Sequence, residues 1–250
     1  MDTLPPELLL YLIPFFPLTS LIAARGVNTQ WRYLAQTASL YPARKALLDV
    51  YLAAIIDPNF LSLMGALQPY VHEFDREAYI TDLISRGCIL PDLFELWVLE
   101  WPSTAVYFWA WPGLAEGCSI NHEYSYIAGN SLSGSPIIKA IPMPKKEASS
   151  VGETCLGLGL WGADYGFGVA HLWLVVDANE KINDRWAGTL LWTDSDFDLN
   201  ESTMRIFYNT PFEASNLIDF VSFESPSRKC SVVEWNLEGY YLEGVDGFDE

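Results

Sequence analysis

Two patterns of apolar positions divide this chain. Over the first hundred residues they recur every three to four positions between prolines and glycines, which predicts short helices. From about Val106 onward they gather into aromatic and β-branched runs separated by Gly, Asn, Ser and Asp, which predicts strands. A first helix is expected from Pro5 or Pro6, where a missing N–H is harmless, to Pro14. Leu8, Leu9 and Tyr11 to Ile13 give it an apolar face wider than one packing contact requires, so it should be buried on two sides. Thr19 or Ser20 is expected to cap a second helix carrying Leu21, Ile22, Ala24 and Arg25, with Gly26 ending it. Asn28 should cap a third, carrying Trp31, Leu34 and Ala35.

Helical spacing continues over 43–56, 60–67, 76–85 and 93–100, with Ala43, Leu47 and Val50 forming one packing face. Strands are expected over 125–128, 135–141, 156–161, 170–176, 188–193, 205–208 and 232–235, and a late helix over 212–221, where Leu217, Phe220 and Val221 follow a polar start. The architecture is therefore α+β: three helices over 1–40, a helical connector over 41–89, a mostly antiparallel β-rich domain with a closing helix over 90–235, and an acidic tail over 236–250.

Half of the 250 residues are apolar, enough for a substantial core. The apolar run Leu8 to Phe16 is too short for a membrane span, which needs about 20 residues, and lacks the basic flank of a secretory signal. Cytosol or nucleus is the expected compartment. Cys88, Cys118, Cys155 and Cys230 lie 30, 37 and 75 residues apart, unlike the close spacing of zinc ligands, so free buried thiols are expected. Residues 1–110 hold 6 basic and 11 acidic side chains, and residues 111–250 hold 8 and 21, so the second part carries −13 of the net −18. Such a surface repels nucleic acid and favours a basic protein partner.

The order Leu4-Pro5-Pro6-Glu7-Leu8-Leu9-Leu10, then Leu18 to Arg25, then Val27-Asn28-Thr29-Gln30-Trp31-Arg32, resembles an F-box. That family docks onto the Skp-type adaptor of a cullin-RING ubiquitin ligase by inserting apolar side chains. The resemblance assigns docking to Leu4, Pro5, Leu8, Leu9, Ile13, Leu21, Val27 and Trp31, with Leu4, Pro5, Leu8 and Trp31 foremost. A second resemblance covers the later part. His171 to Asn179, Gly188 to Trp192 and the segment ending Leu217-Ile218-Asp219-Phe220-Val221 are similar to the SUKH superfamily of α+β protein-binding domains, with Leu90-Pro91-Asp92-Leu93-Phe94 as the early Leu-Pro helix start. The Asn-Gly of that family is replaced by Trp109-Ala110-Trp111-Pro112-Gly113-Leu114. Fungal proteins join an F-box to such a domain.

Other patterns invite chemistry and fail its requirements. Gly157-Leu158-Gly159-Leu160-Trp161-Gly162 matches a dinucleotide-binding fingerprint with Asp177 at the right distance, but a β-type run follows where a helix must open, so close strand approach is the better reading. Asp194-Ser195-Asp196-Phe197-Asp198 starts like a calcium loop, yet Leu199 and Arg205 replace its glycine and its last carboxylate, leaving a polar turn. His72, His122 and His171 are isolated, and nothing local brings Cys155, His171 and Asp177 together as a nucleophile set. Trp97, Trp101, Trp109 and Trp111 are expected in the core rather than lining a ligand pocket. No cofactor, metal or catalytic residue is expected. The chain reads as a substrate-recognition adaptor that binds a Skp-type adaptor and an unidentified target; the alternative is a SUKH-type scaffold that binds a signalling or wall-synthesis protein without ubiquitination.

Overall fold

The computed structural model describes residues 4–106, 110–115, 119–121, 127–142, 154–164, 168–177, 187–196, 205–211 and 231–233. Seven α-helices precede eight strands among them: α1 (Pro6–Leu12), α2 (Leu18–Val27), α3 (Thr29–Thr37), α4 (Pro42–Ala54), α5 (Pro58–Leu67), α6 (Arg76–Ser85) and α7 (Asp92–Glu100), then β1 (Ser119–Asn121), β2 (Ile127–Asn130), β3 (Ile138–Pro142), β4 (Thr154–Asp164), β5 (Gly168–Val175), β6 (Thr189–Asp196), β7 (Arg205–Pro211) and β8 (Ser231–Val233). The fold is α+β, helices first.

Prolines start α1 and α4, and Pro14 lies in the 3-10 turn Ile13–Phe15 into which α1 tightens. Asn28 caps α3 as expected, its side chain accepting from Trp31 N at 2.9 Å. The start of α2 differs from expectation. It begins at Leu18 without any side chain of its own at the cap, and runs past Gly26 to Val27. Its first amide is instead met by a carboxylate from α7, described below.

All strand pairs are antiparallel, in the order β7-β6-β5-β4-β2-β1-β8. Along one edge the long β4 pairs with β2 through Trp161–Asp164 and with β3 through Thr154–Leu158. The expected turn at Asp194-Ser195-Asp196 is corrected: these residues continue β6, where Gly168 pairs with Asp196 and Asp194 with Arg205. Pairing with β5 along all three residues, and with β7 at Asp194, outweighs the low strand propensity of aspartate. The expected helix over 212–221 and tail over 236–250 lie outside the described residues.

The sheet's two faces separate by alternation. Leu158, Leu160, Leu172, Leu174 and Leu190 join the helices' Leu9, Leu47, Phe94 and Trp97 in one cluster, continuous across the expected boundaries at 40/41 and 89/90. On the opposite face Ile141, Cys155, Trp173, Val175 and Leu191 form a second. Gly157 and Gly159 alternate with leucines on β4, so the leucines reach the helices while the glycines lie beneath Trp173. A Cβ at Gly157 would stand 2.8 Å from Ile141 Cδ1 and 3.3 Å from Trp173 Cε3, the close strand approach expected of this run. Among the described residues no helix is long and apolar enough to cross a membrane.

Candidate functional site

Helix α1 is apolar on two sides, and only one meets the protein's own core. Leu9 and Ile13, four residues apart, are 6% and 0% exposed, and Leu21 of α2 is 0%. These three, assigned to docking by resemblance, serve the chain's own core in this structure. Leu8, Tyr11, Leu12 and Phe15 follow the spacing i, i+3, i+4, i+7 on the other side and are 48%, 75%, 45% and 82% exposed. Leu4, which precedes the helix, is also exposed, at 52%. From Leu8 to Phe15 the face is about 10–12 Å long at about 1.5–2 Å per residue. Among residues 4–40 charge is confined to Glu7, Arg25 and Arg32. Large exposed side chains in a nearly uncharged stripe are the pattern of a protein-binding surface.

Of the remaining expected residues, Pro5 and Val27 are exposed, and Trp31 is half-buried with its ring stacked on Phe16. Tyr11 and Leu12 are read from the sequence only as part of the apolar face of α1, and Phe15 is not singled out; none of the three is assigned to docking. Their helical spacing from Leu8 was the available signal.

Besides the shared core, one carboxylate ties α2 to α4 and α7. Glu100, the last residue of α7, accepts from Leu18 N at 2.7 Å and Arg44 Nε at 2.8 Å with Oε2, and from Arg44 Nη2 at 2.6 Å with Oε1. The pair is mostly buried, with side chains 13% and 17% exposed, and the bond to Glu100 raises the Arg44 guanidinium's pKa further. Next to it, Arg76 Nη1 donates to the carbonyls of Val98, Leu99 and Trp101 and so satisfies the free end of α7.

Residues weighed for chemistry are placed otherwise. His171 pairs with Gly162 and Thr193, roughly 20 Å along the sheet from Cys155 at about 3.3 Å per residue, so Cys155, His171 and Asp177 do not assemble. Cys155 is buried, and burial with the nearby Asp177 charge pushes its thiol up to about 12. Cys88 is also a free, buried thiol; Cys118 and Cys230 lie outside the described residues. Burial, aided by Lys139, lowers the His171 pKa. Trp97, Trp101 and Trp111 are buried, and Arg76 already lies 5.2 Å over the Trp111 ring, where a bound cation would sit. Trp109 lies outside the described residues. Among the described residues no group of His, Cys, Asp and Glu could hold a metal ion.

Comparison with protein-family models, with curated proteins and with solved structures returned no match.

Proposed function

We propose that this chain is the substrate-recognition adaptor of a cullin-RING ubiquitin ligase, with α1 to α3 docking onto a Skp-type adaptor and the β-rich region receiving the target. The supporting observation is the solvent-facing stripe Leu8, Tyr11, Leu12 and Phe15, with Leu4 exposed just before it, on a helix and turn whose opposite side is already anchored in the core. Such a helix can fill a partner's groove without unfolding its own. The Leu4-Pro5 start and Trp31 are among the residues that carry the F-box resemblance.

The mechanism is proximity. A protein that holds a target and a ligase subunit together raises the local concentration of target lysines at the charged enzyme. No side chain of the adaptor takes part in the chemistry.

Co-purification of the full chain with a Skp-type adaptor tests the reading. Capture that is lost in a Leu8→Asp, Phe15→Asp double variant of unchanged melting temperature is the expected result. Failure of the unmodified chain to bind overturns it and leaves a scaffold that acts without ubiquitination.

A further inference from the structure

Glu100 sits at the wrong end of its own helix. The C-terminal turn of an α-helix carries partial negative charge, so a carboxylate there is disfavoured, whereas at an N-terminal turn it is favoured. The side chain satisfies the second condition on a different helix. It reaches Leu18 N, the first amide of α2, at a place where Pro17 offers no side-chain acceptor. Arg44 of α4 closes the arrangement with two bonds to the same carboxylate. Three helices therefore meet on one group.

The other end of α7 meets the sheet. Ile89 N, just before the helix, donates to Val176 O at the end of β5 at 2.9 Å. Pro91 Cγ lies 3.2 Å from the position of a Cβ on Gly188, the residue before β6, and Phe94 and Trp97 share the core with Leu172 and Leu174. One nine-residue helix thus has the sheet at its start and the docking helices at its finish.

From this geometry we infer that Glu100 is a positioning residue, fixing the direction in which the α1 stripe points relative to the sheet. The functional consequence rests on the docking reading given above; the joint itself does not. In an adaptor that works by proximity, the angle between the two binding surfaces decides which target lysines come within reach, so loosening this joint should leave docking intact and spoil delivery.

The experiment uses the full chain with spin-label side chains at Gln36 on α3 and Thr154 on β4, both exposed. Pulsed dipolar spectroscopy reads the distance distribution and hydrogen exchange reads the Leu18 amide, in the parent protein, Glu100→Gln and Glu100→Ala. The expected result in Glu100→Ala is a distribution at least twice as broad and a Leu18 amide exchanging at least tenfold faster. Leu158 and Leu174 should keep their protection, and affinity for a purified Skp-type adaptor should change less than threefold. Glu100→Gln, which keeps an acceptor for Leu18 but loses the charge pair, should fall between. An unchanged distribution in both variants overturns the inference, and so does loss of protection at Leu158 and Leu174 in both, which would make Glu100 a general stability residue. Should the parent protein not bind the adaptor, the docking reading fails while the distance result still decides the joint.

Discussion

Phe16 and Trp31 stack with ring centroids 6.4 Å apart and planes inclined by 16°. A tryptophan expected to anchor a partner thus has one face committed to its own fold, holding α3 against the turn that follows α1. Trp31→Ala should lower stability by about 1–2 kcal/mol, less than for a fully buried ring, and weaken adaptor binding by disturbing α1 indirectly. Trp31→Phe should restore most of both. Thermal unfolding and titration calorimetry on the two variants check this; lost affinity in Trp31→Ala at unaltered stability would make Trp31 a direct contact.

The two sides of α1 should separate affinity from stability. Phe15→Ala and Leu8→Ala should leave stability within about 0.5 kcal/mol and, for a true anchor, reduce adaptor affinity by about 2 kcal/mol. Leu9→Ala and Ile13→Ala remove buried volume and should destabilise by about 2–5 kcal/mol. Urea unfolding beside binding measurements distinguishes the two classes.

Gly157 is where the sheet tolerates no side chain. Gly157→Ala forces Ile141 and Trp173 aside and should destabilise by about 1–3 kcal/mol. Ile141→Val in the same chain should recover part of that loss, because the nearest atom is the Ile141 Cδ1 that valine lacks. Gly129→Ala, with nothing within 4 Å of the added carbon, is the control.

Alkali should unfold the protein earlier than its salt bridges alone would suggest. The Cys155 thiol is held protonated in the fold, raised from 9.0 to about 12, and burial raises the Tyr79 phenol in the same sense. The folded state therefore binds more protons than the unfolded one over this interval, so the contribution of Cys155 is complete below pH 9 and is lost as pH climbs toward 12. Melting temperatures followed from pH 8 to 11 should fall, and fall less in Cys155→Ala. A thiol reagent at pH 8 should leave Cys88 and Cys155 unmodified until denaturant is added.

What the sequence revealed depended on how local the cause was. Helix α6 was legible to its ends because Asp75 caps it and Gly87 follows it within a few residues. The cap of α2 was not, since its acceptor lies 82 residues away in sequence. Strand β1 escaped notice because three residues with one large apolar side chain give no alternation to read. At the proposed docking surface, matching to a family pattern drew attention to Leu9, Ile13 and Leu21, whereas the helical spacing from Leu8 to Phe15 separates the outward side chains from the inward ones once Leu9 is known to be inside.

Ser119 of β1 pairs with Val233 of β8, a partner almost half the chain away. During synthesis, then, the helices and the β4–β5 hairpin are complete while that margin of the sheet still awaits its last strand, and such a late, distant closure is slow. A ribosome stalled before residue 231 would present a chain whose α1 stripe is complete while the rim of its sheet is unfinished.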